Sequence, residues 1–401
     1  MTTTAVILAP DDKGVQTAFS LPTIRRLALM TTQAGLSVHL IGATRQIVSA
    51  VSDLIVPQNV HHAENAESMK QVLLTIPVQD DEKVLILLAN HVIDRHSLKQ
   101  FIEAGENPGI YHMGGTASDA IGSIWLIPRE NLPSPACALW TSRNVDTTVT
   151  GKAHRVACPE GLPYLIGEAE TQSRVAEDRL IAALAFQTAA DDGFFSRHFD
   201  RKISRFISGM LVRTPVTPNM ITLAGMTIGL SGAYLLSLPG YRSRLLGALL
   251  FLFCIIVDGV DGEVARLKLK ESTFGHYLDV ITDNIVHLFI FIAIGVGLYR
   301  ETGEILYIRA LWFMLGGFVL CLVAVYQCIL RKSPEELEQS PKMLRLMALL
   351  TNRDFAYLVA ALAVLDRLNW FLLGASAGTY LFALTLWTLN LYEKRGRRPA
   401  C

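Results

Sequence analysis

The chain has 401 residues, 51% of them hydrophobic, and its 36 basic and 36 acidic side chains balance to a formal net charge of zero. This length predicts two domains, and the balanced charge gives no reason to expect a nucleic-acid partner. The mean hydropathy of +0.35 is high for a water-soluble enzyme, and the apolar weight lies in the second half.

The six cysteines are scattered along the chain without a Cys-x-x-Cys pair. This spacing is typical of a reducing compartment and predicts no metal–thiolate cluster. The amino-terminal sequence MTTTAVILAP has no basic segment and only a short apolar run. We therefore expect no signal peptide and a front half that stays in the cytoplasm.

Residues 1–170 have the pattern of a soluble α/β domain. Apolar runs of strand length occupy 5–9, 36–42 and 83–89, and a helical pattern covers 22–34 between the first two. Alternation of strands and helices predicts a mainly parallel, Rossmann-like sheet.

The stretches VILAP, SLPTIRRLALMTTQAGLSVHLIG and VLILLANHVID, in that order, are similar to sugar-phosphate nucleotidyltransferases. That resemblance implies a Gly-rich loop with a basic residue after the first strand, where backbone N–H groups hold a triphosphate. Here the loop contains Asp11, Asp12 and a single Gly14, and Asn90 stands where the family has a metal-binding aspartate. Because an amide is a poor ligand for Mg²⁺, we expect a degenerate nucleotidyltransferase-like domain.

Residues 171–213 are predicted to connect this domain to the membrane. After a charged helix, apolar and basic side chains recur at helical spacing on two faces, which is typical of an interfacial helix on an anionic membrane surface. The alternative is a soluble helix that packs on its own domain. The apolar set is Phe195, Phe199, Ile203, Phe206, Ile207, Met210 and Leu211, and the basic set is Arg197, Arg201, Lys202 and Arg205.

Residues 214–398 are predicted to form an all-α transmembrane domain of six helices. The spans are placed at about 217–238, 244–267, 275–299, 306–330, 354–367 and 370–392. The fifth span is short for a bilayer crossing. Dense Lys and Arg in the flanks on one side predict an inner- or plasma-membrane protein with both termini in the cytoplasm.

Four aspartates interrupt these apolar segments between residues 258 and 283. Each would cost roughly 2.5–3.5 kcal/mol if it faced lipid at the bilayer centre. Asp258 and Asp261 are spaced i,i+3, and Asp279 and Asp283 are spaced i,i+4, so each pair shares one helix face. The acids are therefore expected to face a polar cavity or a cation.

Hard oxygen ligands in two facing pairs suit Mg²⁺ or Mn²⁺ rather than zinc or copper. Two such ions would hold the attacking and leaving oxygens of a phosphoryl transfer. Two alternatives remain. The acids could form a structural ion-pair network with Arg266, Lys268 and Lys270, or they could couple cations to transport in a membrane transporter.

The spacing in this stretch is that of a known family. The pattern is Asp258-x-x-Asp261-Gly262-x-x-Ala265-Arg266, eight further residues, and Gly275-x-x-x-Asp279-x-x-x-Asp283. It resembles the signature of the CDP-alcohol phosphotransferase family. The resemblance implies a six-helix membrane enzyme that moves the phospho-alcohol or phosphatidyl group of a CDP-alcohol onto an acceptor hydroxyl and releases CMP. It also implies a homodimer.

The resemblance assigns roles to the residues of the pattern. Asp258, Asp261 and Asp279 correspond to metal ligands, and Asp283 corresponds to the general base and a second-metal ligand. The residues that would contact the nucleotide are Asn219, Thr222, Gly262, Ala265, Arg266 and Gly275. The active site would then face the cytoplasm and contain about two divalent ions.

The sequence indicates less about the acceptor than about the CDP-alcohol. The stretch DGFFSRHFDRKIS resembles the juxtamembrane segment of enzymes that make inositol phosphodiesters from CDP-inositol. Acceptors consistent with the sequence are inositol phosphate, glycerol phosphate or a membrane lipid. A basic set between the fourth and fifth spans would either bind an anionic acceptor or only orient the protein. Its members are Arg331, Lys332, Arg345 and Arg353.

Two functions follow from this domain order. The first is a CDP-alcohol phosphotransferase of phospholipid or inositol-phosphodiester biosynthesis. The second is a bifunctional enzyme whose front domain is also a cytidylyltransferase that makes the CDP-alcohol. The acids in the loop at 10–14 count against the second.

Overall fold

A computed structural model describes residues 2–42, 44–78, 82–105, 109–113, 124–141, 153–156, 162–167, 170–188, 199–330 and 355–396. The chain divides into two compact units. The first comprises residues 1–190 with 266–269, and the second comprises residues 191–265 with 270–401. The first unit is α/β and the second is helical, which confirms the predicted classes of both parts.

A seven-stranded mixed sheet forms the centre of the first unit. Its strands are β1 Thr2–Leu8, β2 Ser37–Ile41, β3 Val60–His61, β4 Lys83–Leu88, β5 Ile110–Met113, β6 Ile124–Pro128 and β7 Ala153–Val156. Their spatial order is β7-β5-β6-β4-β1-β2-β3. β1 pairs in parallel with β2 and β4, whereas β6 runs antiparallel to β4 and β5. The mainly parallel pairing around β1 is as predicted.

Helices cover both faces of this sheet. They are α1 Thr23–Gln33, α2 Arg45–Val51, α3 Ala66–Thr75, α4 Arg95–Ala104, α5 Pro133–Trp140 and α6 Glu170–Thr188. Successive side chains of a strand point to opposite faces. Ala5 and Ile7 of β1 accordingly belong to one buried cluster, and Val6 and Leu8 belong to the other. The uninterrupted apolar run of β1 is therefore explained by burial on two sides.

The second unit consists of helices. They are α7 Arg201–Leu211, α8 Pro218–Leu236, α9 Tyr241–Lys268, α10 Thr273–Thr302, α11 Ile305–Val325, α12 Phe355–Val364 and α13 Leu368–Gly396. Five segments are long and apolar enough to cross a membrane, namely 218–236, 241–268, 273–302, 305–328 and 368–392. The chain is therefore an integral membrane protein. The helix at the predicted fifth span, α12, has only 10 residues, so a sixth span stays a prediction.

Glycines let α8 lie close to both α9 and α10. A Cβ atom at Gly229 would stand 2.6 Å from Val286 Cγ1 of α10 and 2.9 Å from Cys254 Sγ of α9. At Gly232, a Cβ atom would stand 2.9 Å from the carbonyl oxygen of Gly247. Small residues are what membrane helices need for such close approach. These contacts hold α8, α9 and α10 together as a three-helix group.

An ion-pair cluster joins three helix ends in this unit. Arg244, in the first turn of α9, has only 5% of its surface exposed. Its guanidinium donates to Oδ1 of Asp366 at 2.6 Å and also contacts the carboxylate of Glu301 near the end of α10. Asp366 lies in the turn between α12 and α13, so one arginine connects α9, α10 and that turn.

Candidate functional site

Three aspartates from two consecutive helices converge in the second unit. Asp258 and Asp261 lie near the end of α9, and Asp279 lies in the second turn of α10. Each offers a carboxylate oxygen, and these oxygens all lie within 4.8 Å of one another. Asp261 is 6% exposed and the other two are half-buried.

The turn between α9 and α10 brings the acids together. Only residues 269–272 separate the helices. Leu269 has a φ of +54°, in the left-handed region, and therefore reverses the chain direction within this short turn. Ser272 then caps α10, because its Oγ accepts a hydrogen bond from the backbone N–H of Gly275 at 3.0 Å.

This donor set fits a hard divalent cation. Carboxylate oxygens are the ligands that Mg²⁺ and Mn²⁺ prefer, and like charges at such distances repel strongly unless a cation lies between them. Asp283 lies one turn after Asp279 on α10 and is half-buried, but it is not a member of the group of three. Of the four predicted acids, the structure thus brings three together.

Thr222 of α8 contacts the group directly. Its hydroxyl donates a hydrogen bond to Oδ2 of Asp261 and also lies 3.2 Å from the carbonyl oxygen of Pro218. Thr222 is 8% exposed. The residue that the sequence assigned to the nucleotide therefore also orients a candidate metal ligand, and its contact with a nucleotide stays a prediction.

Two further predicted nucleotide residues meet at the start of α10. A Cβ atom at Gly275 would stand 3.2 Å from Oδ1 of Asn219, so a side chain at this position would have to displace Asn219 by a few tenths of an ångström. Gly262 and Ala265 follow Asp261 on α9 and are three residues apart. Both are half-buried, as is Arg266. Their contacts with a nucleotide stay predictions.

The predicted acceptor residues Arg331, Lys332, Arg345 and Arg353 lie outside the described residues. The same is true of Phe195 and Arg197 at the start of the predicted interfacial helix. Nothing in the described ranges tests either set.

The helix predicted to lie at the membrane interface is present as α7. Phe199, Phe206 and Met210 are 57%, 71% and 60% exposed, as expected for a face that contacts lipid. Its location at a membrane surface stays a prediction. Ile207 and Leu211 pack against Val260 and Val264 of α9, and Arg201 pairs with the buried Glu263 of α9 at 3.0 Å.

Sequence reasoning missed Glu263 altogether. It lies two residues after Asp261 and is 1% exposed, the least exposed acid of the stretch. The sequence did contain a signal for Glu263, because it is a further acid in an apolar helix that already carries Asp258 and Asp261.

The helical unit contains an apolar cavity. Its volume is about 490 Å³, and its wall includes Asn284 and His287 of α10. Phenylalanines from α10, α11, α12 and α13 form much of the remaining wall, namely Phe291, Phe318, Phe355, Phe371 and Phe382. A cavity with such walls suits a hydrocarbon chain rather than a polar head group.

The loop after β1 and the nearby Asn90 make local contacts within the first unit. Asp11 accepts a hydrogen bond from the backbone N–H of Lys13 at 3.0 Å and pairs with the Lys13 ammonium at 2.9 Å. A Cβ atom at Gly14 would stand 2.7 Å from Cβ of Ala89. Asn90 donates its amide to the carbonyl oxygen of Ile166 at 2.9 Å. The loop and Asn90 are thus engaged in local contacts.

Comparison with known proteins agrees with the geometry of the second unit. Residues 215–391 match the family model for CDP-alcohol phosphatidyltransferase. A "Bifunctional IPC transferase and DIPP synthase" of Archaeoglobus fulgidus is 40% identical over 146 residues, which cover 35% of this chain and 29% of that protein. The "Phosphatidylinositol phosphate synthase" of Mycobacterium tuberculosis is 33% identical over 92 residues, which cover 23% of this chain and 42% of that protein.

Among solved structures, CMP:2-keto-3-deoxy-manno-octonic acid synthetase complexed with CTP aligns with a TM-score of 0.30 and 12% identity, over 46% of this chain and 99% of that chain. The two curated relatives are each matched over less than half of their own length. The family match includes the helices that carry Asp258, Asp261 and Asp279. The helical part of this chain therefore matches the CDP-alcohol phosphatidyltransferase family model, and an α/β domain precedes it in the sequence.

Proposed function

We propose that the chain is a membrane CDP-alcohol phosphotransferase. It moves the phospho-alcohol group of a CDP-alcohol onto an acceptor hydroxyl and releases CMP, as a step in making a phospholipid or an inositol phosphodiester. The observation that carries this proposal is the convergence of Asp258, Asp261 and Asp279 within the domain that matches the family.

The carboxylates are the binding groups of the site. Asp258, Asp261 and Asp279 would hold Mg²⁺ or Mn²⁺, about two ions in all if Asp283 joins them. A divalent ion at this position supplies positive charge that neutralises the diphosphate and the departing CMP. Thr222 fixes the rotation of the Asp261 carboxylate through its hydrogen bond.

Asp283 is proposed as the general base. It accepts the proton of the acceptor hydroxyl while the acceptor oxygen forms a bond to phosphorus and the bond from phosphorus to the CMP oxygen breaks. Asp283 is half-buried on α10, one helical turn beyond Asp279. The nucleotide would lie along Asn219, Thr222, Gly262, Ala265, Arg266 and Gly275.

The names of the relatives favour an inositol-containing acceptor. This chain is similar both to a "Bifunctional IPC transferase and DIPP synthase" and to a "Phosphatidylinositol phosphate synthase". Arg331, Lys332, Arg345 and Arg353 supply the positive charge that an inositol phosphate or glycerol phosphate would need.

A lipid-linked substrate is the second candidate, and one observation favours it. The apolar cavity of about 490 Å³ has walls that would accommodate a hydrocarbon chain. A polar CDP-alcohol with a polar acceptor gives no use for that cavity.

The domain boundaries, topology and assembly belong to the same proposal. Residues 1–170 would form the front domain, 171–213 the connector, and 214–398 the membrane domain with six spans. The flanks on one side of the spans contain an excess of Lys and Arg. This excess favours a cytoplasmic position for both termini and for the site. The protein would act as a homodimer.

Three local contacts support a front domain without cytidylyltransferase activity. They are the Asp11–Lys13 ion pair, the close approach of Gly14 to Ala89, and the hydrogen bond from Asn90 to Ile166. A bifunctional enzyme instead predicts CDP-alcohol formation from CTP. A transporter predicts no CMP at all.

The decisive experiment measures CMP release by the purified full chain. CDP-inositol and CDP-diacylglycerol are each offered with inositol phosphate, glycerol phosphate or a lipid acceptor, with and without Mg²⁺. We expect one pair to release CMP in a metal-dependent reaction that Asp261→Asn abolishes. Absence of CMP release from every pair, with folded protein, would contradict the proposal. In a separate incubation with CTP and inositol phosphate, consumption of CTP would support the bifunctional alternative.

A further inference from the structure

Glu263 is a buried carboxylate that accepts three hydrogen bonds from one neighbouring helix. Its Oε1 accepts hydrogen bonds from Ser204 Oγ at 2.8 Å and from the Arg201 guanidinium at 3.0 Å. Its Oε2 accepts a hydrogen bond from Ser208 Oγ at 2.6 Å. All three donors belong to α7, and both serines are 1% exposed. We call these four residues the Glu263 clamp.

The clamp holds α9 from the side opposite to the carboxylate site. An α-helix turns about 100° per residue, so Glu263 points about 200° away from Asp261 around the axis of α9. Gly259, one turn before Glu263, lies on the same side, since a Cβ atom there would stand 3.9 Å from Ser204 Cβ and from Arg201 Nη1. Val260 and Val264 extend this contact to Ile207 and Leu211 of α7.

A polar clamp fixes the rotation of a helix more closely than apolar packing does, because hydrogen bonds are directional. The rotation of α9 decides where Asp258 and Asp261 stand relative to Asp279 of α10. Small displacements of these carboxylates change the geometry that a divalent cation requires, and groups that orient metal ligands commonly affect affinity by about 10–100-fold.

We propose that the Glu263 clamp positions α9 so that Asp258 and Asp261 meet Asp279 in a metal-binding arrangement. Glu263 is a positioning residue and takes no part in the chemistry. This inference rests on the proposed function only in that the three aspartates hold a divalent ion.

The amino-terminal end of α7 is fixed by a second contact. The hydroxyl of Tyr357, in the first turn of α12, donates a hydrogen bond to Asp200, which precedes α7 and is 6% exposed. Helix α7 is thus held at its start by α12 and along its length by α9, while Phe206 and Met210 remain exposed on the other face. This fixation makes α7 a firm support for the clamp.

The test measures Mn²⁺ binding to the purified full chain by electron paramagnetic resonance, together with CMP release. We expect Glu263→Ala to weaken Mn²⁺ binding about 10-fold or more and to lower kcat. Glu263→Gln keeps the shape and one acceptor oxygen, so we expect a smaller loss. Ser208→Ala removes one donor, and we expect a loss of a few fold while the remaining donors hold Glu263.

Two controls separate this inference from its alternatives. Glu304→Gln changes an exposed glutamate at the start of α11, and we expect unchanged Mn²⁺ binding. Asp261→Asn should abolish the Mn²⁺ site. If Asp261→Asn binds Mn²⁺ like the wild type, the metal site of the proposed function fails.

A purely structural role predicts a different pattern. In that case Glu263→Gln and Ser208→Ala would lower the melting temperature, and the folded protein would bind Mn²⁺ with wild-type affinity. That result would overturn the positioning role. If Glu263→Ala does not fold, the two milder variants still decide the question.

Discussion

The hydroxyl of Thr222 donates a hydrogen bond to Oδ2 of Asp261 across the contact between α8 and α9. Asp261 is the most buried of the three converging aspartates, and Thr222 is itself almost fully buried. One oxygen of Asp261 is therefore oriented by the protein. The site thus depends on three helices although only two of them supply its acids.

We expect Thr222→Val to weaken Mn²⁺ binding about 10-fold, because the isosteric side chain cannot orient Asp261. Thr222→Ser keeps the hydroxyl and should restore most of the affinity. Thr227→Val is the matched control, since Thr227 lies on the same helix and its hydroxyl donates to the carbonyl oxygen of Leu223 in that helix. Equal Mn²⁺ affinity in Thr222→Val and the wild type would contradict the role of Thr222.

We expect Asp283→Asn to lower kcat by about 10²–10⁴-fold, which is the usual contribution of a general base. Binding of the CDP-alcohol, measured by equilibrium dialysis, should remain, because Asp283 is not a member of the group of three acids. Asp279→Asn should instead weaken binding of the divalent ion and of the CDP-alcohol together. Full turnover in Asp283→Asn would refute the base assignment.

We expect Arg244→Ala to destabilise the helical unit by about 1–3 kcal/mol, since Arg244 holds Glu301 and Asp366 by charged hydrogen bonds at the ends of three segments. Both acids are partly exposed, which limits the loss. Unfolding by denaturing detergent measures the change. Arg242→Ala, at an exposed position on the same helix, is the control and should unfold like the wild type.

We expect the front unit to become less stable as the pH falls below about 6.5, the usual pKa of histidine. Nδ1 of His39 lies 3.2 Å from Nε2 of His61, and burial lowers the pKa of both rings, with a further contribution of His61 to the pKa of His39. The unfolded chain therefore binds more protons than the folded chain in this range, so acidification favours unfolding. At pH values above the pKa that these histidines have in the unfolded chain, their contribution to stability is fully present.

Pulse proteolysis of the full chain at pH 5.5 and pH 7.5 tests this expectation. His61→Gln should reduce the difference in stability between the two pH values. His62→Gln is the matched control, because His62 is the exposed neighbour of His61. An unchanged pH dependence in His61→Gln would show that this pair does not govern the acid response.

The sequence predicted the elements that are decided locally. The apolar runs at 5–9, 36–42 and 83–89 correspond to β1, β2 and β4, because a strand buried on both faces must be apolar throughout. The i,i+3 spacing of Asp258 and Asp261 placed both on the face that meets Asp279.

Features that depend on distant contacts were not predictable in this way. The antiparallel insertion of β6 between β4 and β5 depends on pairing across the sheet. Glu263 has the local sequence of an ordinary helix residue, but its donors lie 62, 59 and 55 residues away. Whether Asp283 joins the other acids depends on how α9 and α10 cross, which no local pattern specifies.

The short turn at 269–272 has a consequence for biogenesis. Because α9 and α10 are consecutive and closely joined, their aspartates meet through contacts that are local in sequence. Local contacts form early and rapidly during folding, and a helical hairpin is able to insert into a bilayer as one unit. The charged centre of the protein can therefore assemble during synthesis, before α11, α12 and α13 have left the ribosome.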